Sequence, residues 1–150
     1  MGLFVEAPDT AGRIGFTGTR EKLTAAQRKE LYLVLLNAPG GWWHHGDCVG
    51  ADAESHVMAY AQGYKIEVHP PLSKRMRAYC KGDVVRMPKE FIARERDIVR
   101  YTSRLIACPA EAREQPLGGT WSTIRFARWL GRPVMIIFPD GRIELEQGVA

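Results

Sequence analysis

Gly118-Gly119-Thr120-Trp121-Ser122-Thr123 joins two runs of opposite character. Before it, Leu105-Ile106-Ala107-Cys108 is short and apolar and predicts a strand. After it, Trp121 to Leu130 predicts a helix. Two glycines let the backbone take positive φ and approach a ligand closely. Two hydroxyl residues follow where the helix starts, able to cap free N–H groups or to bond an oxyanion. A loop of this make-up at the head of a helix suits a phosphate.

Outward from this point the same strand–loop–helix unit recurs. Downstream, Pro133 to Phe138 is nearly all apolar, as expected of a strand buried on both faces. Pro139-Asp140-Gly141 predicts a turn, and Arg142 to Leu145 a short final strand. Upstream, Pro88 suits the first turn of a helix reaching about Tyr101. Leu72 to Met87 takes no clear pattern; it carries Lys74, Arg75, Arg77, Lys81 and Arg86 and reads as a basic loop or lid. Lys65 to Val68 and Trp42 to His45 predict two more strands, with a helix between them from about Asp52 to Gln62, closed by Gly63. Arg13 to Thr17 predicts the first strand. Thr24 caps a helix from Ala25 to Asn37 whose apolar face is Leu31, Val34, Leu35 and Leu36, and Pro39-Gly40 ends it. Residues 1–12 read as a loose lead-in. Strict alternation predicts one α/β domain over residues 1–150, a Rossmann-like three-layer sandwich with a mainly parallel sheet of about five strands. Ligands of such sheets lie beyond the carboxyl ends of the strands.

Composition bounds the function classes. At 150 residues, 45% hydrophobic and 25% charged, the chain has the make-up of a globular domain. No apolar run is long enough for a membrane span, and Met1 to Gly12 lacks the plan of a signal peptide, which predicts a cytoplasmic protein with no membrane partner. Cys48, Cys80 and Cys108 are odd in number, far apart and form no CxxC pair, in keeping with a reducing compartment. A net charge of +4 and a pI near 9.1 permit a polyanionic partner without requiring one.

Three strand ends carry candidate chemistry. Thr17-Gly18-Thr19-Arg20 offers a tight turn and a guanidinium able to clamp phosphate. His45-Gly46-Asp47-Cys48-Val49-Gly50-Ala51-Asp52 opens a helix; Gly50 and Ala51 would admit a ligand to the helix head, and Asp47 and Asp52 would accept from ribose hydroxyls or base amino groups. It is neither the GxGxxG fingerprint nor a P-loop. His44, His45, Asp47 and Cys48 match no standard zinc spacing, and a strand sends His44 and His45 to opposite faces, so no metal is expected. Arg94-Glu95-Arg96-Asp97 reads either as a solvated helix face or as arginines reaching over the sheet toward an anion. Of the four tryptophans, Trp121 alone lies in the glycine loop, where it would cover a base.

In order along the chain, Gly15 to Arg20, His45 to Asp52, Arg94 to Pro109 and Gly118 to Ala127 resemble the SLOG superfamily, over roughly residues 13–140. That group includes the DNA-processing protein DprA, the LOG phosphoribohydrolases and the YpsA-like proteins, whose small stand-alone branch is the most similar. The resemblance implies a Rossmann-like fold that binds nucleotides or their derivatives at the glycine loops, commonly as a dimer or larger oligomer. LOG enzymes hydrolyse the N-glycosidic bond of nucleoside monophosphates with an arginine and a glutamate. Arg94 matches the arginine; after Gly118-Gly119 the chain runs Thr120 to Arg125 with no acid, so the glutamate is missing there.

The resulting expectation is a binding module for a nucleotide-derived ligand, acting as sensor or sequestering protein with no further cofactor. Phosphate would sit on Gly118, Gly119, Thr120, Ser122 and Thr123, approached by Gly18, Thr19 and Arg20. Gly46, Asp47, Gly50 and Asp52 would take the sugar or base, and Arg94 would complete the charge balance and serve as the tentative catalytic residue of an enzyme. Hydrolysis of a nucleotide N-glycosidic bond is the second reading, and DprA-like binding of single-stranded DNA by Lys74 to Arg86 the third.

Overall fold

The computed structural model describes residues 8–38 and 40–148. The first seven residues of the lead-in and the helix-ending Pro39 lie outside the described residues. The elements follow as β1 (Arg13–Gly18), α1 (Ala25–Asn37), β2 (Trp42–His45), α2 (Ala51–Ala61), β3 (Lys65–Val68), β4 (Val84–Val85), α3 (Phe91–Arg100), β5 (Arg104–Cys108), α4 (Gly119–Trp129), β6 (Val134–Ile137) and β7 (Ile143–Glu146). They build one sheet in the order β4-β3-β2-β1-β5-β6-β7. Pairing is parallel from β4 to β6, and β7 runs antiparallel to β6 at the edge. No described helix is long and apolar enough to cross a membrane.

Alternation along the strands divides the core into two layers. Ile106 and Cys108 of β5 point toward α1 and α2 and pack with Phe16, Trp43, Leu31 and Ile137. Leu105 and Ala107 point the other way and pack with Trp121, Ile124, Val134 and Ile136 under α4. A strand wetted on neither face needs apolar residues at successive positions, which explains the unbroken runs in β5 and β6. The head of α1 is secured by a capping box. Gln27 N–H donates to Thr24 Oγ1 at 3.0 Å, and Thr24 N–H donates back to Gln27 Oε1 at 3.1 Å. Thr24 Oγ1 also donates to the Pro139 carbonyl at 2.6 Å, tying α1 to the turn after β6. Thr24→Ala is therefore expected to lower stability by about 1–2 kcal/mol, read as a shift in urea midpoint with unchanged slope.

Three boundaries differ from the sequence expectation. The sheet has seven strands rather than about five. The added β4 lies inside the unassigned Leu72–Met87 stretch, and two residues are too few to show a period. The α3 helix begins at Phe91 rather than at Pro88. The backbone there is engaged elsewhere: Leu72 N–H donates to Lys89 O and Lys89 N–H to Pro70 O, both at 3.2 Å. The α4 helix begins at Gly119, two residues before Trp121, because Ser122 N–H already closes a helical bond to Gly118 O at 3.0 Å.

The order of strands positions the site. From β1 the chain winds outward through β2, β3 and β4, then α3 carries it back across to β5 on the other side of β1. Winding reverses between β1 and β5, and a crevice opens beyond their carboxyl ends.

Candidate functional site

Loops from separate elements enclose that crevice, a cleft of about 750 Å³. Gly18, Thr19 and Arg20 enter from β1, Gly118 to Ser122 from the head of α4, Asp52 from α2 and Arg94 from α3. Residues distant in sequence thus share one wall-to-wall space.

Gly118 sets the mouth. Its φ of 107° and ψ of 147° are conformations that side-chain-bearing residues rarely take, and a Cβ there would meet nothing within 4 Å. No side chain caps α4. The N–H groups of Gly119, Thr120 and Trp121 therefore stand without a protein acceptor among the described residues, at the positive end of the helix dipole. Arg20 is exposed at the rim, and Arg125, whose Nη1 donates to Gln115 O at 2.8 Å, lies on the α4 side.

The floor is charged and buried. Arg94 is 3% exposed; its Nη1 donates to Gly46 O at 2.6 Å and lies 3.5 Å from Glu95 Oε1, while its buried Nε has no partner. Glu95 Oε2 accepts from Thr123 Oγ1 at 2.8 Å and from Thr17 Oγ1 at 3.3 Å. Asp52 Oδ2 accepts from Cys48 N–H at 3.1 Å. A methyl on Gly46 would collide with Arg94 Nη1 and lie 3.0 Å from Asp52 Oδ2 and 3.3 Å from Glu95 Oε1, so both carboxylates and the guanidinium converge on one point. Burial first, and then Glu95, push the Asp52 carboxyl up to about 7. Burial raises Glu95 as well, opposed by Arg94 and the two threonines. Burial and Asp52 push the Cys48 thiol up to about 11, leaving it a poor nucleophile at neutral pH.

Four predicted residues lie off the cleft wall. Asp47 is fully buried and turned the other way; its carboxylate accepts from Arg77 Nε at 3.2 Å and Cys80 N–H at 2.8 Å, pinning the basic segment. Gly46 serves as the carbonyl partner of Arg94. Gly50 packs against the backbone of Arg20 and Glu21. Ala51 N–H donates to Thr19 O at 3.1 Å, so the head of α2 is closed by the β1 loop instead of facing a ligand. Thr123 bonds Glu95 and the Gly119 carbonyl beneath the loop. Trp121 is 2% exposed, tilted against Phe138, with Nε1 donating to Glu111 at 2.9 Å; it is a core residue, not a cover for a base. Of the basic segment, Arg77 is committed to Asp47 and Arg86 to Glu67.

Sequence reasoning had Glu95 and Thr17 within its motifs but gave neither a role in the site. Their signal was present: on α3 the buried positions are Arg94, Glu95, Ile98 and Val99, so two charged residues occupy the helical stripe that faces the core. A charge on such a stripe requires a partner or a function.

The histidines meet across the strands. His44 lies with Glu67 and His69 on one face, and His45 with His56 and Cys80 on the other. Arginine only donates, so His44 Nε2 accepts from Arg13 Nη1 at 3.0 Å and its Nδ1–H donates to His69 Nε2 at 2.9 Å. His45 Nδ1 accepts from Asp47 N–H at 2.9 Å, so its Nε2–H donates to His56 Nδ1 at 3.0 Å. Burial holds His44 down to about 2 and His69 to about 3, keeping both neutral.

The sequence matches no family model and no curated protein. Solved structures do match. A molybdenum cofactor binding protein from the phototrophic bacterium Rippkaea orientalis superposes with a TM-score of 0.66 at 20% identity, over 90% of this chain and 78% of its own. TM1055, a structural-genomics target, gives 0.60 at 16%, over 81% and 71%. DNA processing protein A (DprA) from Streptococcus pneumoniae gives 0.62 at 22%, over 83% of this chain and 49% of its own, so the present chain spans about half of it. Likeness at these identities speaks for the fold. The chain has the Rossmann-like α/β fold of these three proteins.

Proposed function

We propose that the cleft binds a nucleotide-derived ligand, with a phosphate on the head of α4 and the sugar directed toward Asp52 and Glu95. The observation that carries this reading is the uncapped helix head opening on a cleft bordered by Arg20, Arg94 and Arg125. The buried Arg94 Nε–H, which has no partner among the described residues, supports it, because a ligand oxygen would satisfy that donor. The test is a melting assay against nucleoside mono- and diphosphates, ADP-ribose and cyclic nucleotides. A binding ligand should raise the melting temperature, and Arg20→Ala should weaken it ~10–100-fold, the worth of a charge-assisted hydrogen bond to phosphate. No stabilisation by any phosphate-bearing compound would sink the proposal.

A second reading, hydrolysis of an N-glycosidic bond, gains from one observation: two buried carboxyls with raised affinity for protons face the same point. Water adds to the sugar C1′ and the base departs with the bonding pair and a proton. A carboxylic acid neutral near pH 7 can supply that proton while an ionised neighbour draws one from water. Release of free base from nucleoside monophosphates, lost in Glu95→Gln while binding persists, would favour the enzyme.

A further inference from the structure

We propose that the ligand is a dinucleotide, whose second nucleoside occupies an annexe of the cleft between α3 and α4; this rests on the nucleotide reading above. Glu95 and Ser122 line both the cleft and a second, adjacent hollow of about 410 Å³. Both volumes suit ligand groups on the scale of ~300–1,000 Å³ typical of small-molecule sites. The annexe is aromatic and basic. Trp129 is 78% exposed and stacks on Phe126 with centroids 5.8 Å apart. The guanidinium groups of Arg96 and Arg100 lie over the Phe126 ring at 5.2 and 5.5 Å.

Neither Arg96 nor Arg100 has a carboxylate partner among the described residues, whereas Arg128 on the same helix as Trp129 pairs with Glu114 and Glu146 at 2.7 Å each. An exposed indole beside two unpaired cations offers stacking for a base and bidentate donors for a phosphate. The two hollows share lining residues, so a ligand with a bridging phosphate would span from one to the other.

Titration calorimetry with AMP and with diadenosine triphosphate tests the proposal. Diadenosine triphosphate should bind at least ~10-fold more tightly than AMP and quench the Trp129 fluorescence, a signal absent in Trp129→Phe. Arg96→Ala/Arg100→Ala, on exposed positions, should erase that advantage and leave the AMP affinity unchanged. Equal affinities for the two compounds would overturn the dinucleotide and leave the nucleotide reading standing. Failure of both to bind would overturn the dinucleotide, and the nucleotide reading falls with it only if no compound of the melting panel stabilises the fold either. An oligo(dA) of about 20 nucleotides bound ~10-fold more tightly than diadenosine triphosphate would replace the dinucleotide with a nucleic-acid strand.

Discussion

Gly50→Ala is expected to cost about 4 kcal/mol of stability, seen as a fall of roughly 10 °C in melting temperature. Gly50 precedes α2 with φ 97° and ψ −129°, a region that only glycine occupies without strain. A methyl there would also strike the Arg20 carbonyl oxygen and lie 2.6 Å from that of Glu21. Both contacts are backbone, so no rotamer change relieves them. The β1 loop and the head of α2 would have to separate, breaking the Ala51 N–H bond to Thr19 O. Gly63→Ala is the control. That residue also has positive φ, at 84°, but its added methyl meets nothing within 4 Å, so it should cost only about 1 kcal/mol. Equal losses in the two variants would show that the loop yields freely to Gly50→Ala.

Asp52→Asn should change how stability depends on pH. Burial raises the folded-state carboxyl from the ordinary aspartate range to about 7, so the folded chain holds this proton more tightly than the unfolded chain. The wild type is therefore favoured while Asp52 is protonated, loses that advantage as pH climbs from about 4 to 7, and levels off above. At ~1.4 kcal/mol per pH unit the full difference is about 4 kcal/mol. Asparagine keeps an oxygen for Cys48 N–H and carries no charge. The gap between variant and wild type should thus open in the variant's favour across that window, measured by urea titrations at pH 4, 5.5, 7 and 8.5. A gap constant with pH would mean that Asp52 ionises in the fold as it does in water.

The fold was legible because its signals are local. Runs such as Ile106 to Cys108 and Val134 to Ile137, each followed or preceded by a helix with punctuating glycine, specify a parallel sheet without reference to any distant residue. The two-residue β4 escaped notice since it exists only by pairing with β3. Loops at strand ends were recognisable for the same local reasons, yet which side chains face inward was not. Asp47 and Asp52 read alike as acids beside glycines. In the fold Asp47 has φ 54° and turns to Arg77, while Asp52 points at Arg94 and Glu95. Likewise Trp121 and Trp129 sit eight positions apart on one helix, one in the core and one in solvent.

By itself, then, the amino-acid order determined the strands other than β4, the helices, their alternation and the glycine loops that end β1 and head α4. Those features depend on backbone conformation and on burial patterns within a dozen residues. Only tertiary structure decided that Glu95 meets Thr17 and Thr123, that the head of α2 is closed while that of α4 stays open, and that Arg96, Arg100 and Trp129 frame an annexe. Such pairings arise where the sheet reverses its winding, and no local pattern encodes which side chains a crossover will bring face to face.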